Sequence, residues 1–144
     1  MIKAFAGQHL LSVQDLSLEA VETVFSVADR MVPFAERRMV TRVLEGAILG
    51  NMFFEPSTRT RVSFGCAFNL LGGEVRETIG IESSSLAKGE SLEDTARVLS
   101  GYSDVIVMRH PEEGAVDRFA QASRVPVLNG GDGAREHPTQ ALLD

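Results

Sequence analysis

Gly46-Ala47-Ile48-Leu49-Gly50-Asn51-Met52-Phe53-Phe54-Glu55-Pro56-Ser57-Thr58-Arg59-Thr60-Arg61 is an apolar run that breaks into hydroxyls and guanidiniums. Ala47 to Phe54 is mostly apolar and bounded by Gly46 and Pro56, which reads as a buried strand. Beyond it, Val62, Cys66 and Leu70 fall on one helical stripe and Phe64, Ala67, Phe68 and Leu71 on the next. That spacing predicts a broadly buried helix stopping at Gly72-Gly73. The first turn of such a helix aims unpaired N–H groups and the positive end of its dipole at whatever lies above the strand. Ser57, Thr58 and Thr60 add hydroxyl donors there, and Arg59 adds a planar fork matched to phosphate oxygens. The turn therefore reads as a phosphate cradle. A plain Ser or Thr cap followed by solvated arginines would account for any single string of this kind, so the rest of the chain decides.

Upstream, Asp15-Leu16-Ser17 offers capping side chains, and Leu18, Val21, Phe25, Ala28 and Val32 mark an amphipathic helix ending near Pro33. Downstream, Val75 to Ile79 alternates and suits a strand nearer the sheet edge, and Gly80 to Ser91 reads as an exposed loop. Leu92, Thr95 or Ala96, Leu99 and Tyr102 mark a helix; strand, helix and strand follow over 104–108, 113–122 and 125–129. Alternating strands and helices predict an α/β fold, a doubly wound parallel sheet of about four strands with helices on both faces. In such sheets ligands bind outside the carboxyl ends of the strands. Each polar cluster follows a strand: Ser57 to Thr60, the Ser85–Lys88 loop, Arg109-His110-Pro111, and Gly130 to Gln140.

A length of 144 residues suits one domain, and 44% hydrophobic with 24% charged residues is ordinary for a soluble globular chain. The net charge of -6 argues against non-specific nucleic-acid binding. No apolar stretch approaches the length that spans a bilayer, so a cytoplasmic enzyme domain or binding module is expected. Cys66 is the only cysteine, which excludes an intrachain disulfide and a thiolate metal site; its apolar helical setting reads as core. Gly130-Gly131-Asp132-Gly133 reads as a tight turn, lacking the spacing and lysine of a nucleotide loop. Asp132, Glu136 and His137 make only a weak metal grouping, so neither metal nor cofactor is expected. His9 and His110 have no evident partners.

Ser57, Thr58, Arg59, Thr60 and Arg109 together would supply a cationic, donor-rich pocket, and Lys88 on a glycine-flanked loop a further point charge beside Ser85. His137 and Gln140, three apart at a helix start that carries Pro138 at its first position, share a face. Histidine can donate to a developing oxyanion, and a glutamine carbonyl can accept from an amide. Acyl transfer from an acyl phosphate wants that combination: a polarised oxygen, an oriented NH2 and a leaving phosphate held by cations. Each residue also has a plain alternative: a surface ion pair for Arg109, a solvated loop lysine for Lys88, a capping or packing role for His137.

Phe54-Glu55-Pro56-Ser57-Thr58-Arg59-Thr60-Arg61, Ser85-Leu86-Ala87-Lys88-Gly89-Glu90-Ser91, Met108-Arg109-His110-Pro111 and the stretch from Gly131 to Asp144 occur in order, and with them the sequence closely resembles the aspartate carbamoyltransferase family. The resemblance runs from about His9 to the last residue. It implies a carbamoyl-phosphate-binding domain over 1–134 and, from 135 to 144, the start of an interdomain helix. It further implies that Ser57, Thr58, Arg59 and Thr60 hold phosphate, that Arg109 bridges phosphate and carbonyl oxygen, that Thr60 and His137 polarise the carbonyl, and that Gln140 orients the carbamoyl amide. Arg59, Thr60, Arg109 and His137 are thus the implied catalytic residues. Ser85 and Lys88 would reach into a neighbouring subunit's site, which implies a homotrimer with shared active sites, and a regulatory or dihydroorotase-like chain is an implied candidate partner. The implied substrates are carbamoyl phosphate and L-aspartate. Lys88-Gly89-Glu90 and Gly131-Asp132-Gly133 favour aspartate over the ornithine paralogue. Family members carry a second α/β domain, so the chain is expected to be truncated before it and to bind substrate while hardly turning over. A non-catalytic module that associates with a full-length partner is the alternative of another class.

Overall fold

Apolar runs and amphipathic stretches resolve into a layered α/β arrangement in the computed structural model, which describes residues 5–80 and 85–144. Among these residues the order is α1 (Leu18–Ala35), β1 (Ile48–Phe53), α2 (Thr58–Leu70), β2 (Glu74–Ile79), α3 (Leu92–Ser100), β3 (Val105–His110), α4 (Ala115–Ala122), β4 (Val127–Asp132) and α5 (Pro138–Leu143). The four strands are all parallel in the order β2-β1-β3-β4, as the alternation predicts. From β1 the chain steps outward to β2, then crosses back through α3 to β3. The direction of winding therefore reverses between β1 and β3, the place where open α/β sheets form a crevice at their carboxyl edge.

Both central strands are covered on both faces, which is why β1 reads as a nearly continuous apolar run. Leu49, Phe53 and Val107 pack with Phe64 and Phe68 of α2. Met52, Ile106 and Met108 pack on the other side with Ala96 of α3 and Val116, Phe119 and Ala120 of α4. Burying one such side chain contributes about 1.5–3 kcal/mol. Serine hydroxyls start two helices: Ser17 accepts from the Ala20 N–H at 3.1 Å and Ser91 from the Asp94 N–H at 3.1 Å.

Several local expectations need correction. Helix α1 runs through Pro33 to Ala35: the proline removes one ladder bond, and the helix still closes beyond it, where the Glu36 and Arg38 N–H groups donate to the Val32 and Pro33 carbonyls. It is half-buried through Ala20, Val24, Val27, Met31 and Phe34, whereas Leu18, Phe25, Ala28 and Val32 of the expected stripe are exposed and only Val21 is half-buried. Helix α2 is not broadly buried. Gly65 alone is fully buried in it, and Cys66 is exposed rather than core, because only the Phe64–Phe68 side meets the sheet. Tyr102 lies beyond α3 and is exposed. Helix α4 starts at Ala115, after Gly114 in a left-handed conformation (φ 82°). Strands β3 and β4 run further than expected, so Arg109, His110 and Gly130-Gly131-Asp132 are strand rather than turn. The turn lies just beyond, where the Arg135 N–H reaches the Asp132 carbonyl at 3.0 Å. Within the expected loop, 81–84 lie outside the described residues, and Ser85–Lys88 form a 3₁₀ turn whose Leu86 packs on the α3–α4 core. Among the described residues no helix is long and apolar enough to cross a membrane.

Candidate functional site

The carboxyl ends of β1 and β3 are tied together by the Phe54 N–H, which donates to the Arg109 carbonyl at 2.9 Å. Glu55 and Pro56 then lead to Ser57, the extended residue (φ -161°, ψ 89°) from which α2 departs. The Ser57 hydroxyl makes no capping bond, so the first-turn N–H groups, which have no intrahelical acceptor, are open toward the strand ends. Arg59 is exposed and has no ion-pair partner among the described residues; Thr60 is half-buried. Arg59 and Thr60 line a cavity of about 540 Å³ together with Phe64, His137 and Gln140. The fold thus brings the cradle against residues nearly eighty positions further along. Ser57 and Thr58 flank this cavity at the helix start without lining it. A separate cavity of about 580 Å³, between the end of α1 and Gly72-Gly73, contains none of these residues.

Arg109 lies opposite Phe53 in the sheet, with its side chain 22% exposed. Its Nε–H donates to Glu55 Oε2 at 3.0 Å and its Nη1–H to the Gly130 carbonyl at 3.1 Å. Gly131 makes this bed possible: a Cβ there would sit 2.6 Å from Arg109 Nη1, and its φ of +135° disfavours a side chain anyway. The Gly131 N–H is held in turn by Asn129 Oδ1 at 2.9 Å, and Asn129 Nδ2 donates to the Leu11 carbonyl at 3.0 Å. Glu55, Asn129, Gly130 and Gly131 are parts of the site that sequence reasoning did not assign. Glu55 sits inside the diagnostic stretch, whereas in the sequence Asn129 reads as a strand end and Gly130-Gly131 as a turn.

His137 is the residue from which α5 departs, ahead of Pro138 at the first helical position. Its Nε2 is buried and has no partner among the described residues. Burial lowers its pKa, and the Arg109 charge lowers it further, so the ring is neutral at pH 7. A neutral ring with its proton on Nε2 can donate a hydrogen bond without adding charge. Gln140 is exposed, and its amide donates to Asp144 Oδ1 at 3.2 Å. Lys88 is exposed and does not line the cavity; its turn packs on the α3–α4 side of the sheet, opposite α2.

The other histidines do have partners. His110 is buried edge-on against Phe54 at 5.8 Å, with Nδ1 accepting from the Glu112 N–H at 3.0 Å, and burial is the main cause of its lowered pKa. His9 Nδ1 accepts from the Val127 N–H at 2.9 Å. Among the described residues no three His, Cys, Asp or Glu side chains are placed to hold a metal ion.

Residues 8–144 match the family model described as aspartate/ornithine carbamoyltransferase, carbamoyl-P binding domain. The aspartate carbamoyltransferase catalytic subunit of Saccharophagus degradans is 76% identical over 140 residues, covering 97% of this chain and 42% of the relative. The solved catalytic subunit of Methanocaldococcus jannaschii aspartate transcarbamoylase superposes with a TM-score of 0.88 at 49% identity, covering 95% of this chain and 45% of that one. The Trypanosoma cruzi aspartate transcarbamoylase in complex with carbamoyl phosphate superposes with a TM-score of 0.88 at 42% identity, covering 96% and 45%. The chain spans less than half the length of these relatives.

Proposed function

Because this chain belongs to the aspartate/ornithine carbamoyltransferase family and matches its carbamoyl-phosphate-binding domain, we propose that it builds the carbamoyl-phosphate site of an aspartate carbamoyltransferase. The whole enzyme would transfer the carbamoyl group to L-aspartate, giving N-carbamoyl-L-aspartate and phosphate for pyrimidine biosynthesis in the cytoplasm. The observation that carries this reading is the single cavity joining Arg59 and Thr60 to His137 and Gln140, with Arg109 near enough for its charge to lower the His137 pKa. Ser57, Thr58, Arg59 and Thr60 hold the phosphate through hydroxyls, the fork and the helix start. Arg109 releases Glu55 to bridge phosphate and carbonyl oxygen, and Gln140 leaves Asp144 to accept from the carbamoyl NH2.

In the reaction the aspartate amine attacks the carbonyl carbon, forming the new C–N bond and placing an electron pair on the carbonyl oxygen. Thr60, Arg109 and His137 donate to that oxyanion. Its collapse breaks the C–O bond to phosphate, which leaves with the bonding pair and takes the proton lost from the attacking nitrogen. The route forms no covalent enzyme intermediate. The aspartate carboxylates would be held by a second domain, so residues 1–144 taken by themselves would bind carbamoyl phosphate but hardly turn over. Ser85 and Lys88 serve a neighbouring subunit of a homotrimer. Support for that comes from their turn packing on the face opposite the cradle.

Thermal unfolding tests the reading directly. Carbamoyl phosphate at about a hundred times its Kd stabilises a folded chain by ~2.7 kcal/mol, so the Tm should rise by several degrees, and Arg59→Ala should remove the rise. An unchanged Tm in the presence of ligand would count against the proposal.

A further inference from the structure

Resting on the reading of the α2 first turn as a phosphate cradle, we propose that Asn51, Arg61 and Glu77 are positioning residues that clamp this turn to the sheet at the angle the anion requires. Asn51 is fully buried in the middle of β1, a polar residue in an otherwise apolar run. It pairs in register with Glu77 of β2. Paired residues of neighbouring strands point to one face, and Leu49 and Phe53, two positions either side of Asn51, fix that face as the one under α2. Asn51 Nδ2 donates to the Arg61 carbonyl at 3.0 Å, and Arg61 Nη1 donates to Glu77 Oε2 at 2.7 Å. Both ends of one residue, next to Arg59 and Thr60, are thereby fixed to two adjacent strands. One turn on, Gly65 lets the helix lie close: a Cβ there would be 3.7 Å from Asn51 Nδ2 and 3.8 Å from Glu77 Oε1.

Stability alone does not explain this arrangement. Asn51 Oδ1 is buried with no partner among the described residues, so an apolar residue of the same shape would avoid an unpaired acceptor. Nor does direct attraction explain it. The Arg61 charge is neutralised by Glu77 at close range, with 24% and 35% of the two side chains exposed, so the pair offers an incoming anion little net charge. What the clamp supplies is orientation, to which bound geometry is sensitive at the 1 Å scale.

The test is calorimetric titration of the chain with inorganic phosphate, alongside thermal unfolding, for wild type, Arg59→Ala, Asn51→Leu and Glu77→Ala. Asn51→Leu should keep or raise the Tm while weakening phosphate about tenfold, in the range of couplings between contacting residues. Glu77→Ala should also weaken it, although removing a negative charge near the cradle would tighten binding if the pair acted only through its field. Wild-type-like affinity in Asn51→Leu, or tighter binding in Glu77→Ala, overturns the clamp while Arg59-dependent binding leaves the cradle standing. No phosphate binding by wild type overturns both.

Discussion

Arg109 is already oriented by Glu55 and the Gly130 carbonyl, so in the proposed site it would bind by an exchange of partners, not as the capture of a loose side chain. Replacing it by alanine should raise the barrier of the full-length enzyme by roughly 3 kcal/mol, a loss of about a hundredfold in kcat, with little change in Tm. Steady-state kinetics beside a melting curve checks this, and a comparable loss of stability would mean that the residue is chiefly structural. Gly131→Ala should act on the same guanidinium from behind, because its methyl group falls 2.6 Å from Nη1. Weaker carbamoyl-phosphate binding is expected, and an unaltered affinity would show that Arg109 does not need this bed. Arg59→Lys should be severe as well, since a point charge cannot reproduce a bidentate fork. Near-normal activity in the full-length enzyme would refute that. The chemistry-bearing residue types were legible here because Ser, Thr, Arg and His stand out against apolar surroundings. Glu55, Asn129 and Gly131 were not, because their contribution is to hold another side chain or its neighbours: β4 beside β3 places Asn129 and Gly131 there, and the end of β1 beside β3 places Glu55.

At the level of elements, polar caps gave the clearest signals. Ser17 and Ser91 start α1 and α3 as side-chain acceptors, and Pro138 opens α5. Ser91→Ala should cost about 1 kcal/mol of stability and leave phosphate binding unchanged, since the cap lies on the face opposite α2; chemical denaturation with a parallel titration measures both. Helix faces were harder to read. α1 carries two apolar stripes, and 3.6-residue periodicity alone does not choose between Leu18–Phe25–Val32 and Val24–Met31–Phe34. In α2, small and apolar residues encircle the helix, but a sheet touches only one side, leaving Cys66 outside. Strand ends are hard to read for a related reason: Arg109 stays paired with Phe53 of β1, and β3 and β4 resume pairing at His110 and Asp132 beyond an irregularity that takes in Gly130-Gly131.

The whole molecule follows the α/β order that alternation predicted, and its reversal between β1 and β3 sets the polar clusters at one edge. One global property can be read from the histidines. His9, His110 and His137 all have pKa values lowered from the ordinary 6.5, with burial the first cause in each. Below pH 6.5 the unfolded chain binds protons that the folded chain refuses, so stability should fall as the pH drops through and below that value. Above it, where these groups are neutral in both states, they contribute no slope. Denaturant unfolding from pH 8 to 5 tests this, and His137→Gln should flatten the acid limb. Whether this domain binds carbamoyl phosphate is settled by calorimetric titration of the chain with that ligand, its mass recorded by light scattering. Saturable binding at one site per chain, lost in Arg59→Ala, is the expected result. A folded wild-type chain that gives no heat of binding would contradict it.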